Sequence, residues 1–176
     1  VAPVISLLLL ALVFAECSLL AIGGVASTLP EMAHLVVDVH HWATAPQFAA
    51  LFGLGQAAPG PNMLISTLIG ERVAGLPGAL VATAAMITPS GMLALTVSRI
   101  WDRFEAAPWR RIVQAAITPI SSGLILAGAA YLIRAADHDP FAYAISFGAA
   151  FINLRSKLHP LWLLAGGVGL GLVGFA

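Results

Sequence analysis

Three stretches of this chain carry no formal charge: from Asp38 to Glu71, from Arg72 to Arg99 and from Arg111 to Arg134. Each is longer than the roughly 18 apolar residues that mark a bilayer-crossing helix. Soluble domains carry charge on about a quarter of their residues, whereas here 9% are charged and 60% are hydrophobic. The chain therefore reads as an all-α integral membrane protein. Eight acids balance eight bases, so nothing in the charge points to nucleic acid as a partner. A single cysteine, Cys17, excludes an internal disulfide.

The apolar runs predict about five to six membrane segments. The first extends from Pro3 to Gly24 and is too long for a signal-peptide core. A polar stretch with Glu31, Asp38 and three histidines follows and reads as a solvated loop. Thr44 then suits an N-cap, with Pro46 in the first helical turn. Ala45 to Gly70 is the second run and Val73 to Ile100 the third. Arg99, Arg103, Arg110 and Arg111 make the next loop the most basic one, which places it in the cytoplasm. Ile112 to Ile133, Phe141 to Leu154 and His159 to Ala176 complete the set. The whole chain, 1–176, is read as a single membrane domain.

The second run contains Pro59-Gly60-Pro61. Proline removes a backbone donor and glycine loosens the helix, and lipid offers no water to satisfy the freed groups. The two pieces are each too short to cross alone. They form either one broken crossing helix or a re-entrant hairpin with the prolines at its tip, and the choice fixes the side on which the N-terminus lies. In both forms the second piece begins at Pro61, with Asn62 and Met63 in its first turn. Free N–H groups and the positive dipole end at such a start favour an anion. Gln56 lies one turn before the break, and Ser66 and Thr67 one turn after it. These neutral donors suit an oxyanion that must be bound and then released, against a bland reading of the prolines as a packed kink.

Gly23-Gly24, followed by Ser27-Thr28, is a second candidate break, equally readable as a glycine-capped helix end. Thr88-Pro89-Ser90-Gly91 is a third, where hydroxyls re-satisfy carbonyls freed by proline. Glu16 falls at lipid depth, which suggests proton or ion coupling, unless it is neutral and hydrogen-bonded or near the surface. Glu71 and Arg72 follow the broken segment, and Arg72 is the best source of counter-charge. His34 and Asp38 would share a helical face, but no further ligand pattern supports a metal site. Gly167 and Gly171 suit close helix packing. No catalytic constellation and no cofactor motif is present, which argues against an enzyme.

The stretch G-G-V-A-S-T-L-P-E-M, then W-A-T-A-P-Q-F, G-L-G-Q-A-A-P-G-P, I-G-E-R-V-A-G-L-P-G-A and T-P-S resembles the chromate ion transporter family in a specific order over residues 14–91. Two positions depart from that family's pattern, with Ile22 and Val25 flanking the glycine pair. The resemblance implies efflux of chromate, or of sulfate as its analogue, by secondary transport across the inner (plasma) membrane. It implies functional roles for Gly23, Gly24, Gln56, Pro59, Gly60 and Pro61. At this length it implies a one-half member working as a homodimer or with a second half unit. A non-transporting scaffold subunit is the alternative.

Overall fold

The computed structural model describes residues 2–58, 63–103, 108–137, 139–156 and 160–174. Among the described residues the regular structure is all helical: α1 (Ala2–Leu20), α2 (Leu29–Ala33), α3 (Ala45–Ala57), α4 (Leu64–Arg103), α5 (Pro108–Ala136), α6 (Pro140–Arg155) and α7 (Pro160–Gly174). A 3-10 turn (Val25–Thr28) leads into α2 and a π-helical turn (His34–Val39) extends it. Two described helices, Leu64–Arg99 and Arg111–Ala136, are long and apolar enough to cross a bilayer, or three if a bent pair counts as one span.

That bent pair is residues 6–20 and 25–39, which meet at 116°. Leu-rich α1 ends at the glycine pair, where Gly23 (φ 112°) and Gly24 (φ 98°) take backbone conformations that a Cβ disfavours. The polar stretch after it is helical through Val39, which corrects the expected loop. Leu29, Met32, Ala33 and Val36 recur at helical spacing and all are buried. Their burial outweighs the histidines and acids that make the segment look loop-like.

Helix α4 is two helices. Ala74 (φ −142°, ψ 23°) and Gly75 (φ 62°, ψ −153°) reverse the chain. Thr67 and Thr83 then meet across the reversal, hydroxyl to hydroxyl, at 2.7 Å. Gly70 and Gly78 abut backbone to backbone with no room for a side chain on either. Glu71 and Arg72 therefore close the first arm as helix, and the turn comes two residues later than their charges suggest. Pro77 sits in the first turn of the new helix, where its missing N–H costs nothing. Residues 76–99 remain long enough to span.

Helix α1 packs along α4 through Leu10, Val13, Phe14 and Cys17, all buried. Pro89 interrupts the α4 ladder opposite this contact. There Ser18, buried, donates to the Met86 carbonyl at 2.7 Å and accepts from the Ser90 N–H at 3.0 Å. A hydroxyl from α1 thus stands inside a hydrogen bond of α4.

The chain divides into two compact units, Val1–Ala129 and Ala130–Ala176. In the second, α6 and α7 pair around an apolar cavity of about 320 Å³, with Gly148, Gly166 and Gly167 among its walls. At 16 and 15 residues, both helices are shorter than the roughly 20 residues that cross a bilayer untilted. Asp137 is buried, and its Oδ2 has no hydrogen-bond partner among the described residues.

Candidate functional site: a clasped half-helix hairpin

Helix α3 begins as its sequence dictates. Thr44 Oγ1 accepts from the Gln47 N–H, and Gln47 Oε1 accepts from the Thr44 N–H, a reciprocal capping box. The helix runs to Ala57 and leaves helical geometry at Ala58 (ψ 131°). The chain resumes as helix at Leu64, and Met63, expected in the first helical turn, lies in the turn just before it.

These two pieces lie side by side and antiparallel. Gly55 sits against Ile65 near the turn; a Cβ on Gly55 would lie 3.3 Å from the Ile65 nitrogen. At the other end, Arg72 Nη2 donates to Gln47 Oε1 at 2.9 Å and Nε donates to the Trp42 carbonyl at 3.2 Å. A single crossing helix would separate Gln47 from Arg72 by its full length, so the hairpin is the form adopted. Its base is clasped by Arg72 and its connection runs from Ala58 to Met63. Pro59, Gly60, Pro61 and Asn62 lie outside the described residues.

The other expected site residues divide into those held in place and those left open. Ser66 is fully buried and donates to the Met63 carbonyl at 2.7 Å, so its hydroxyl serves the start of the second arm. Thr83 donates to the Ala79 carbonyl, which leaves Thr67 as the donor in their shared bond. Gln56 and Met63 are half-buried. Thr88 is exposed, while half-buried Ser90 turns its hydroxyl back on the Met86 and Ile87 carbonyls. Glu16 and Glu71 are exposed; Glu16 lies outside the packed face formed by Val13, Phe14, Cys17 and Ser18.

Gly23 and Gly24 are exposed, and the break they form is sewn up by hydroxyls. Ser121 of α5 donates to the Ile22 carbonyl at 2.6 Å. Ser27 lies 2.7 Å from the Gly24 carbonyl and 3.2 Å from that of Ile22. Ser18, Ser121 and Gln47 escaped the sequence reading. Their partners are 68, 99 and 25 residues away, beyond any local pattern; only Gln47 had a local signal, three residues after Thr44 in a capping-box spacing.

Close to the clasp, His34 Nδ1 and Asp38 Oδ2 pair at 3.1 Å, and His40 stacks on Trp42. His41 takes φ 52° and places Nδ1 2.8 Å from the Val37 carbonyl. Because a carbonyl only accepts, that nitrogen carries the proton, and Nε2 is the ring's remaining polar atom.

This chain is similar to several known proteins. It is 28% identical over 156 residues to the uncharacterized transporter YwrA of Bacillus subtilis (strain 168), covering 86% of this chain and 87% of that protein. It is 26% identical over 163 residues to the chromate transport protein of Cupriavidus metallidurans, covering 92% of this chain but 41% of that protein. With the uncharacterized transporter MJ0718 of Methanocaldococcus jannaschii the identity is 33% over 99 residues, 56% of this chain and 25% of that one. The chain thus spans most of one relative and less than half of two others. No solved structure matches it. The chromate transporter family profile matches residues 8–172, which takes in both the hairpin and the helices after it, and the chain belongs to the chromate transporter family.

Proposed function

We propose that the chain is a half-size secondary transporter that exports chromate or a similar tetrahedral oxyanion. The observation that carries this reading is the hairpin of α3 and residues 64–73, clasped at its base by Arg72. Neither arm is long enough to cross a bilayer, so an inserted hairpin ends at depth, where broken helices of transporters hold their substrates. The second arm is helical from Leu64, and N–H groups at such a helical start supply donors without a fixed positive charge. The substrate site is assigned to this start and to Pro59, Gly60, Pro61, Asn62 and Met63 of the connection before it. Gln56 adds a neutral amide from the first arm. Ser66 acts by holding that helical start rather than by touching the anion.

The Gly23-Gly24 break and the Pro89 kink, with Thr88 and Ser90, border the same path. Glu16 carries the coupling proton or ion, and Glu71 with Arg72 sets the field at the entrance. The protein is multi-pass in the inner (plasma) membrane, with α6 and α7 as the last of five to six segments. It works as a dimer, with a second copy or a second half unit. The 41% coverage of the longer Cupriavidus relative, whose name is chromate transport protein, supports both the substrate and the pairing.

The test is chromate accumulation in cells expressing the wild-type chain, Gln56→Ala or Gly60→Ala. Wild type is expected to lower accumulation and both variants to return it toward that of cells lacking the protein. If wild type neither lowers accumulation nor binds an oxyanion, the proposal fails. Sustained anion flux in liposomes holding only this chain would exclude the scaffold alternative.

A further inference from the structure

At the base of the hairpin lies a polar cavity, of about 450 Å³, with Asp38, His41, Thr44, Gln47 and Arg72 in its wall. A guanidinium offers five N–H donors in a rigid fork. Arg72 spends Nε and one Nη2 proton on Trp42 and Gln47. Those two bonds fix the plane of the group without using the end formed by Nη1 and Nη2, the geometry that grips two oxygens of one oxyanion. The neighbouring groups can add to this grip. Gln47 Oε1 already accepts from Arg72 and Thr44, which turns the amide so that its NH₂ is the group left to donate. Thr44 Oγ1 accepts from Gln47 and keeps its own proton to give. His41 Nε2 becomes a donor when the ring is protonated. The opposing charge is Asp38, whose carboxylate is paired with His34.

We infer that this cavity is a second oxyanion site, distinct from the hairpin tip, in which the preoriented Arg72 guanidinium binds a tetrahedral oxyanion. The ligand chemistry, a sulfate-like or phosphate-like group, has two sources: a free ion approaching the transporter, or the phosphate of a lipid headgroup beside Trp42. The inference rests on the proposed function only for the identity of the physiological free anion. Arg72 thus joins two tasks, since the bonds that close the hairpin also aim the fork.

The test measures sulfate binding to the purified full chain in maltoside micelles free of phosphate. Wild type is expected to bind, Arg72→Gln to lose about tenfold or more in affinity, as expected for charge-assisted bonds, and Arg72→Lys to fall between. Asp38→Asn keeps the clasp and removes the opposing charge, so it is expected to tighten binding; this variant decides the matter if Arg72→Gln does not fold. Titrated phosphatidylglycerol that displaces sulfate identifies a headgroup site, and sulfate binding that resists it identifies a free-ion site. Absence of wild-type binding to either ligand overturns the inference, as does binding unchanged by both Arg72→Gln and Asp38→Asn. Failure of the tip reading is seen separately. Transport unaffected by Gln56→Ala and Gly60→Ala would remove the tip site while leaving Arg72-dependent binding intact.

Discussion

Gly23 meets two constraints at once. Its φ of 112° is one that side-chain-bearing residues rarely adopt, and a Cβ there would fall 2.5 Å from Ser121 Cβ. Gly24 has a similar φ of 98° but faces open space. The pair therefore makes an internal control. Gly24→Ala is expected to cost only backbone strain, about 1–3 kcal/mol, whereas Gly23→Ala adds overpacking of a similar size. Thermal unfolding in micelles should rank Gly23→Ala well below Gly24→Ala, and the gap should close when both are compared in a Ser121→Gly background, which lacks the clash and the bond to the Ile22 carbonyl alike. An equal drop for both alanine variants would mean that Ser121 does not pack on the break. Ser18 is a different case. Its hydroxyl replaces a helical bond that Ser90 and Met86 would otherwise make with each other. Ser18→Ala is expected to cost about 0.6 kcal/mol and at most about 1.7, the measured range for bonds between membrane helices, because the α4 ladder can close again behind it.

At the scale of elements, breaks and caps are the parts that local sequence declares. Thr44 and Pro46 announce α3, and Pro-Gly-Pro and the glycine pair announce interruptions, because each acts through its own backbone. The reversal at Ala74-Gly75 is harder to read. The charges of Glu71 and Arg72 suggest the end of a helix, yet the arm continues through them, since Arg72 must reach Trp42 and Gln47. What brings the arms together is the glycine contact of Gly70 with Gly78, which exists only once the chain has turned. The helix over residues 25–39 was hidden for the opposite reason. Its exposed side carries His34 and Asp38, and polar composition masked a regular buried face. The reversal has a direct chemical test. In a straight helix Thr67 and Thr83 would stand about 24 Å apart, but here their hydroxyls touch at 2.7 Å. Thr67→Cys with Thr83→Cys, in a chain whose own Cys17 is buried, is expected to form an intramolecular disulfide under mild oxidation. Free thiols after oxidation would show a continuous helix.

At the scale of the whole molecule, the hairpin decides which loops share a side of the membrane. A hairpin returns the chain to the surface it left, so Thr44 and Glu71 belong to one face, and the Arg72 bonds to Trp42 and Gln47 tie that face together. Residues 76–99 then lead to the basic segment expected as a loop, whose Arg99 and Arg111 in fact belong to the end of α4 and the start of α5. The positive-inside rule assigns such a basic segment to the cytoplasm, so the prediction is that Thr44 and Glu71 lie outside. The sequence supplied the charge asymmetry and the break, but the side depended on whether the two short pieces cross or return, and only the pairing of Gln47 with Arg72 and Gly55 with Ile65 distinguishes these. Single cysteines at Thr44, Glu71 and Trp109, each in a chain carrying Cys17→Ser, give the measurement. An impermeant maleimide added to intact cells is expected to label the first two and to spare the third until the membrane is opened. Labelling of Thr44→Cys and Glu71→Cys from opposite sides would require the Pro-Gly-Pro segment to cross, would break the Arg72 clasp, and would leave the cavity at its base without one of its walls.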